Sequence, residues 1–157
     1  MKKSEAENLC FFEGFTSEQL AVLLPIITRQ AYPAGVEIVR VKQPAADMFV
    51  VISGEVQIGY LPYDGASIKV DRLTEGDMFG WSSLLGRDVY TATVSTLVDT
   101  QVLRIPSAKI HQLCRQQHET GVVLLEKMAA SISRRPNQPV DLVMKLVNQA
   151  LNCEIDD

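Results

Sequence analysis

The feature that most constrains this chain is a change of period at Tyr32-Pro33-Ala34-Gly35. Beyond it come short runs of strand length: Val36–Val41, Met48–Ser53, Glu55–Tyr60, Ile68–Leu73, Thr91–Ser95 and Thr100–Ile105. Turn residues separate them, at Gln43-Pro44-Ala45-Ala46-Asp47, Ser53-Gly54, Pro62-Tyr63-Asp64-Gly65 and Glu75-Gly76-Asp77. Strands this short at this spacing predict a small antiparallel sandwich or jelly-roll barrel. Val50, Ile52, Val56 and Ile58 alternate with less apolar neighbours about Ser53-Gly54, which predicts a hairpin with one buried face.

Helical patterns flank this region. The first thirty residues read as helical: Thr16 and Gln19 make a capping-box pattern, and Leu20, Leu23, Leu24 and Ile27 follow at helical spacing. A short helix is expected from Trp81 to Gly86. Ser107 is expected to cap a helix reaching about Gln116, with Ile110, Leu113 and Cys114 on one face. A second runs from Glu119 to Arg135 with the stripe Val122, Leu125, Met128, Ala129 and Ile132. Pro136 and Pro139 then bracket a break before an amphipathic helix from Val140 to Leu151. The expected division is 1–135, a β-roll domain with flanking helices, and 136–157, a short C-terminal helical extension.

Composition excludes several classes. At 157 residues and 46% hydrophobic, the chain can bury roughly 70% of its unfolded surface without metals or disulfides. Its formal charge of −4 has the wrong sign for wrapping a phosphate backbone. No apolar run approaches the roughly 20 residues of a membrane span, and the charged start lacks the apolar core of a signal peptide. Cys10, Cys114 and Cys153 are odd in number and far apart, which predicts reduced thiols and a cytoplasmic setting.

The residues Phe12-x-Gly14-Phe15-Thr16-x-x-x-Leu20, Tyr32-Pro33-Ala34-Gly35-x-x-Ile38, Val51-x-Ser53-Gly54-x-Val56 and Leu73-x-x-Gly76-Asp77-x-Phe79-Gly80 occur in that order. Ala92-Thr93-Val94 and Val102-Leu103-x-Ile105-Pro106 follow. With this pattern the chain resembles the cyclic nucleotide-binding domain, the sensor half of cAMP receptor protein and Fnr-type regulators. The resemblance spans about Leu9 to Arg135. It implies a mainly β fold, an eight-stranded double-stranded β-helix (a jelly-roll-like β-roll) flanked by helices, and a long second helix pairing with its twin in a homodimer.

In nucleotide-binding members of that family the cassette reads Phe-Gly-Glu, a short helix, then Pro-Arg and a small residue before Ala-Thr-Val. Amides at the helix start and the arginine bind the phosphate, and the glutamate accepts from the ribose. Here the length is kept from Phe79 to Val94, but Trp81 replaces the glutamate, Val89 the proline and Tyr90 the arginine. A buried phosphate without its counter-charge costs about 3–5 kcal/mol. The lost ribose contact adds about 1–3 kcal/mol. Together these weaken binding by roughly a thousandfold or more, so cAMP is expected to bind weakly or not at all. Arg87 is the one candidate substitute cation.

The candidate ligand site is then Gly80, Trp81, Ser82, Ser83, Tyr90 and Thr91, with Ser82, Ser83, Tyr90 and Thr91 as neutral donors. Such a lining suits an aromatic or weakly acidic small molecule. Alternatively Trp81 and Tyr90 fill the vacated space and close it, leaving a degenerate roll that serves as an interaction module. His111, Cys114 and His118 would share a face only on an unbroken helix, so no metal and no cofactor is expected. Both histidines lie outside the strands, which argues against a cupin-like metalloenzyme, and no catalytic motif appears, so the chain is expected not to be an enzyme. The 22 residues after Arg135 are too few for a winged helix, so no nucleic acid is expected as partner. The expected partners are a small molecule, a second copy through Val122, Leu125, Met128, Ala129 and Ile132 on the helix 119–135, and a downstream protein. The competing arrangement has Leu142, Val143, Leu146 and Val147 folding back over that stripe.

Overall fold

Turn geometry decides how the strands are shared out. The computed structural model describes residues 3–6, 9–60, 69–85 and 88–133. Its strands are β1 (Thr28–Tyr32), β2 (Glu37–Val39), β3 (Asp47–Ser53), β4 (Val56–Tyr60), β5 (Lys69–Leu73), β6 (Met78–Phe79), β7 (Ala92–Thr96) and β8 (Thr100–Pro106). They form two four-stranded sheets, ordered β1-β8-β3-β6 and β2-β7-β4-β5. In the second, β4 runs antiparallel to both neighbours, with Val56 opposite Leu73 and Ile58 opposite Val94. This is the β-roll expected from the sequence. The chain divides into two compact units, Arg29–Arg104 and Met1–Thr28 with Ile105–Asp157.

Within the strand unit the predicted hairpin at Ser53-Gly54 is not formed, because β3 and β4 lie in different sheets. Strand β3 is buried from Met48 to Ile52, on both faces, so it has no solvent side for a simple hairpin to expose. Gly54 is the corner where the chain crosses over. Its φ is +95°, and a Cβ there would stand 2.6 Å from both the Asp99 carbonyl oxygen and Thr100 Oγ1. Only glycine permits that approach. The core holds Val39, Phe49, Val51, Val56, Ile58 and Phe79, with the Phe49 and Phe79 rings stacked at 5.0 Å.

The N-terminal region departs from the all-helical expectation. Helix α1 spans Lys3–Ala6, and α2 only Ser17–Leu23, started by the predicted capping box of Thr16 and Gln19. Pro25 follows in a 3-10 turn, Leu24–Ile26, and the chain then turns extended as β1. As an edge strand of sequence Thr-Arg-Gln-Ala-Tyr, β1 carries no apolar alternation that would announce it. Strand β6 is too short to have a period.

The other unit closes with α3 (Ser107–Gln116) and α4 (His118–Ser133). Ser107 is the first helical residue, not the cap; Pro106 takes the cap position without a side-chain bond. The chain breaks at Gln117, and α4 starts tightly against α3: a Cβ on Gly121 would lie 2.7 Å from the Cys114 Cα. The Cys114 side chain is buried.

The stripe expected to stay open for a second copy is largely covered. Leu125, Met128 and Ala129 are buried within the single chain, and Val122 is half-buried. The physical reason is that α2 and α3 both pack against α4, so its apolar face is spent inside one molecule. The Ile132 side chain, Arg134, Arg135 and the helix expected over 140–151 lie outside the described residues. Among the described residues no helix is long and apolar enough to cross a membrane.

Candidate functional site

The cassette begins where β6 pairs with β3, Phe49 opposite Phe79. Gly80 follows with φ +77°, and a Cβ there would come 3.0 Å from the Asp47 carbonyl oxygen. The expected short helix is a 3-10 helix, Trp81–Leu85, anchored by the fully buried Leu84. Ser83 Oγ donates to the Gly80 carbonyl at 2.9 Å, so this hydroxyl is turned back on the helix start.

The return segment is tied to the loop between β2 and β3. The amide of Ala45 donates to the Asp88 carbonyl, that of Tyr90 to Gln43, and that of Lys42 to Tyr90, each at 2.9 Å. Lys42 adopts φ +71° to make this contact. The Tyr90 side chain is buried in the core and only 8% exposed. Its Oη donates to the Asp47 carbonyl at 2.7 Å and accepts from the Asp47 amide at 3.1 Å. Burial pushes its phenol pKa up.

Gly80, Trp81, Ser82, Tyr90 and Thr91 do come together, with Val39, Ile58 and Val94, around a cavity of about 30 Å³. That is room for about one water. Ser83 is not in its lining, and the hydroxyls of Ser83 and Tyr90 are engaged with backbone, which leaves those of Ser82 and Thr91. Arg87 lies outside the described residues. His111 and Cys114 sit on α3 and His118 on α4, separated by the break at Gln117. Among the described residues no three His, Cys, Asp or Glu side chains gather as metal ligands.

Sequence reasoning missed a second pocket, about 360 Å³, that also reaches Tyr90. Asp47, Arg104, Tyr32, Glu37 and Arg40 contribute to its walls. Burial raises the Tyr32 phenol pKa, and the nearby Arg104 partly offsets this. The signal was available in the register. Phe49 and Val102 are core residues, so Asp47 and Arg104, two positions along the same strands, must face the same interior.

Two four-stranded sheets holding a turn, a 3-10 helix and a return strand define a β-roll. The cyclic nucleotide-binding domain profile matches residues 29–117, and the chain belongs to that family. It is 23% identical over 132 residues to the CRP-like cAMP-activated global transcriptional regulator of Mycobacterium tuberculosis, covering 84% of this chain and 59% of that protein. It is likewise 23% identical over 128 residues to the potassium channel KAT1 of Oryza sativa subsp. japonica, covering 82% of this chain. The chain spans only 18% of that channel's length. In three dimensions it resembles the regulatory subunit of a cAMP-independent protein kinase A from Trypanosoma brucei, with a TM-score of 0.67 at 16% identity, over 88% of this chain and 48% of that one. As a member of this family it is a ligand-sensing type of regulatory domain.

Proposed function

We propose that this chain is a non-enzymatic regulatory domain that senses a small molecule other than a cyclic nucleotide and passes the change to a protein partner. The observation that carries this reading is Tyr90. It stands where the family's phosphate-binding arginine would be, its ring is in the core, and its hydroxyl is spent on the backbone of Asp47. The adjoining space of about 30 Å³ falls far short of the roughly 300 Å³ at which small-molecule sites begin. Trp81 removes the carboxylate that would accept from a ribose. The trypanosomal subunit, described as cAMP-independent, supports regulation by this fold without that nucleotide. The mycobacterial relative, a cAMP-activated regulator, supports the regulatory role itself.

Titration calorimetry with cAMP and cGMP tests this. No saturable heat is expected up to about 100 μM, an affinity of roughly 5.5 kcal/mol. Micromolar binding of either nucleotide would overturn the reading. Closure of the cassette cavity also favours a second reading, a ligand-free interaction module, for which the exposed Leu97 and Val98 offer contact surface. A thermal-shift screen separates the two, since ligand at a hundred times Kd adds about 2.7 kcal/mol. Pairing of two copies through α4 would rest on the half-buried Val122 and Val123 and not on Leu125, Met128 and Ala129. With a charge of −4, neither reading includes a nucleic-acid partner.

A further inference from the structure

The pocket on Arg104 and Asp47 is built entirely within the strand unit. Strands β3 and β8 are neighbours in one sheet, which brings these two partly exposed charges side by side. Arg104 Nε is buried and has no hydrogen-bond partner among the described residues. The Asp47 carboxylate oxygen lies 3.8 Å from it, within ion-pair range but beyond a hydrogen bond. The other charge pair on the pocket, Arg40 with Glu37, is closed at 2.8 Å. The pocket therefore holds one satisfied pair and one loose pair, and its four charges sum to zero.

That balance selects the ligand. A simple anion drawn to Arg104 meets the Asp47 carboxylate beside it, and a simple cation meets the reverse. A zwitterion satisfies both, because it replaces one long contact with two charge-assisted hydrogen bonds of ordinary length. Ile38, Val39, Phe49 and the Tyr32 ring supply the smaller, apolar part of the wall, beside Gln43 and the four charged side chains. At about 360 Å³ the pocket is within the range of small-molecule sites.

We propose that this pocket binds a free α-amino acid, its carboxylate on Arg104 and its ammonium on Asp47. The proposal rests on the regulatory reading above and gives it a ligand class. Binding would meet the wall that Tyr90 shares with the cassette, so the altered cassette would still register an occupant.

Calorimetry on the full chain with L-phenylalanine and L-leucine tests it. Saturable binding at or below about 1 mM is expected for at least one. N-acetyl-L-phenylalanine, lacking the ammonium, and L-phenylalaninamide, lacking the carboxylate, should each bind at least tenfold more weakly. Arg104→Gln and Asp47→Asn should each weaken the free amino acid tenfold or more; Asp47→Asn keeps the backbone groups that hold Tyr90. Silence toward both amino acids up to about 10 mM, equal binding of the blocked forms, or unaltered binding by a folded Arg104→Gln variant would overturn the proposal. The blocked analogues are read on the unmodified chain, so a variant that fails to fold leaves the test intact. Amino-acid silence together with cyclic-nucleotide silence removes this site alone, whereas cyclic-nucleotide binding removes the regulatory reading on which it rests.

Discussion

Tyr90 Oη bridges the amide and the carbonyl of a single residue, Asp47, at 3.1 and 2.7 Å. One side chain thereby satisfies both backbone groups at the start of β3. Tyr90→Phe keeps the ring and removes both bonds, and should cost about 1–3 kcal/mol. The midpoint of urea unfolding reads this, provided the slope of the transition is unchanged. The phenol also carries a pH signature. Its folded pKa is raised above the ordinary 10.0, so its contribution is complete below pH 10 and is lost as pH rises beyond it. The unmodified chain should therefore lose stability more steeply above pH 10 than Tyr90→Phe does.

Gly54 and Gly35 both have positive φ, +95° and +82°, but differ in their surroundings. Nothing lies within 4 Å of a Cβ built on Gly35, whereas one on Gly54 collides with Asp99 and Thr100. Gly35→Ala should cost only the left-handed backbone penalty, about 1–2 kcal/mol. Gly54→Ala should cost more than about 4 kcal/mol, because the corner between the sheets must open as well. Equal losses in thermal denaturation would show that the corner is softer than its packing implies.

Leu125 is 3% exposed inside one chain, so a charge there attacks the fold before it attacks any pair. Leu125→Asp should destabilise by more than about 4 kcal/mol and lower the helical circular dichroism. Val122→Asp, at a half-buried position, should keep that signal. In sedimentation at tens of micromolar it should convert any dimer of the unmodified chain to monomer. A folded, monomeric Leu125→Asp variant would show that the stripe is an interface after all.

His111 carries a pKa below the ordinary 6.5, depressed by burial and then by Arg115. Below pH 6.5 the unfolded chain takes up a proton that the folded ring resists, so stability falls as pH drops through and below 6.5. The slope should stay under the ~1.4 kcal/mol per pH unit of a full proton difference, because the ring keeps contact with water. His111→Gln should flatten the profile between pH 6.5 and 5 in chemical denaturation.

The strand content was legible because Val51, Val56, Ile58, Val94 and Val102 repeat with a strand's period between glycine and proline turns. The sharing of strands between sheets was not legible. Ser53-Gly54 reads the same in a hairpin as in a corner, and only the approach of Asp99 and Thr100, over forty residues on, distinguishes them. At the cassette, replacement of the arginine by Tyr90 was plain in the sequence. The destination of its hydroxyl was not, because its partner is backbone, which no residue type announces. Arg104 and Asp47 were overlooked because each is a lone charge in its strand, and their pairing depends on β3 and β8 being neighbours.

The missing side chain of Gly121 sets how motion travels through the helical unit. Because α4 starts in direct contact with Cys114 of α3, no compressible gap remains at the elbow to absorb a displacement. A displacement of Cys114 toward α4 would therefore have to push the start of α4 along with it. Even one added methyl at the elbow would have to force the two helices apart.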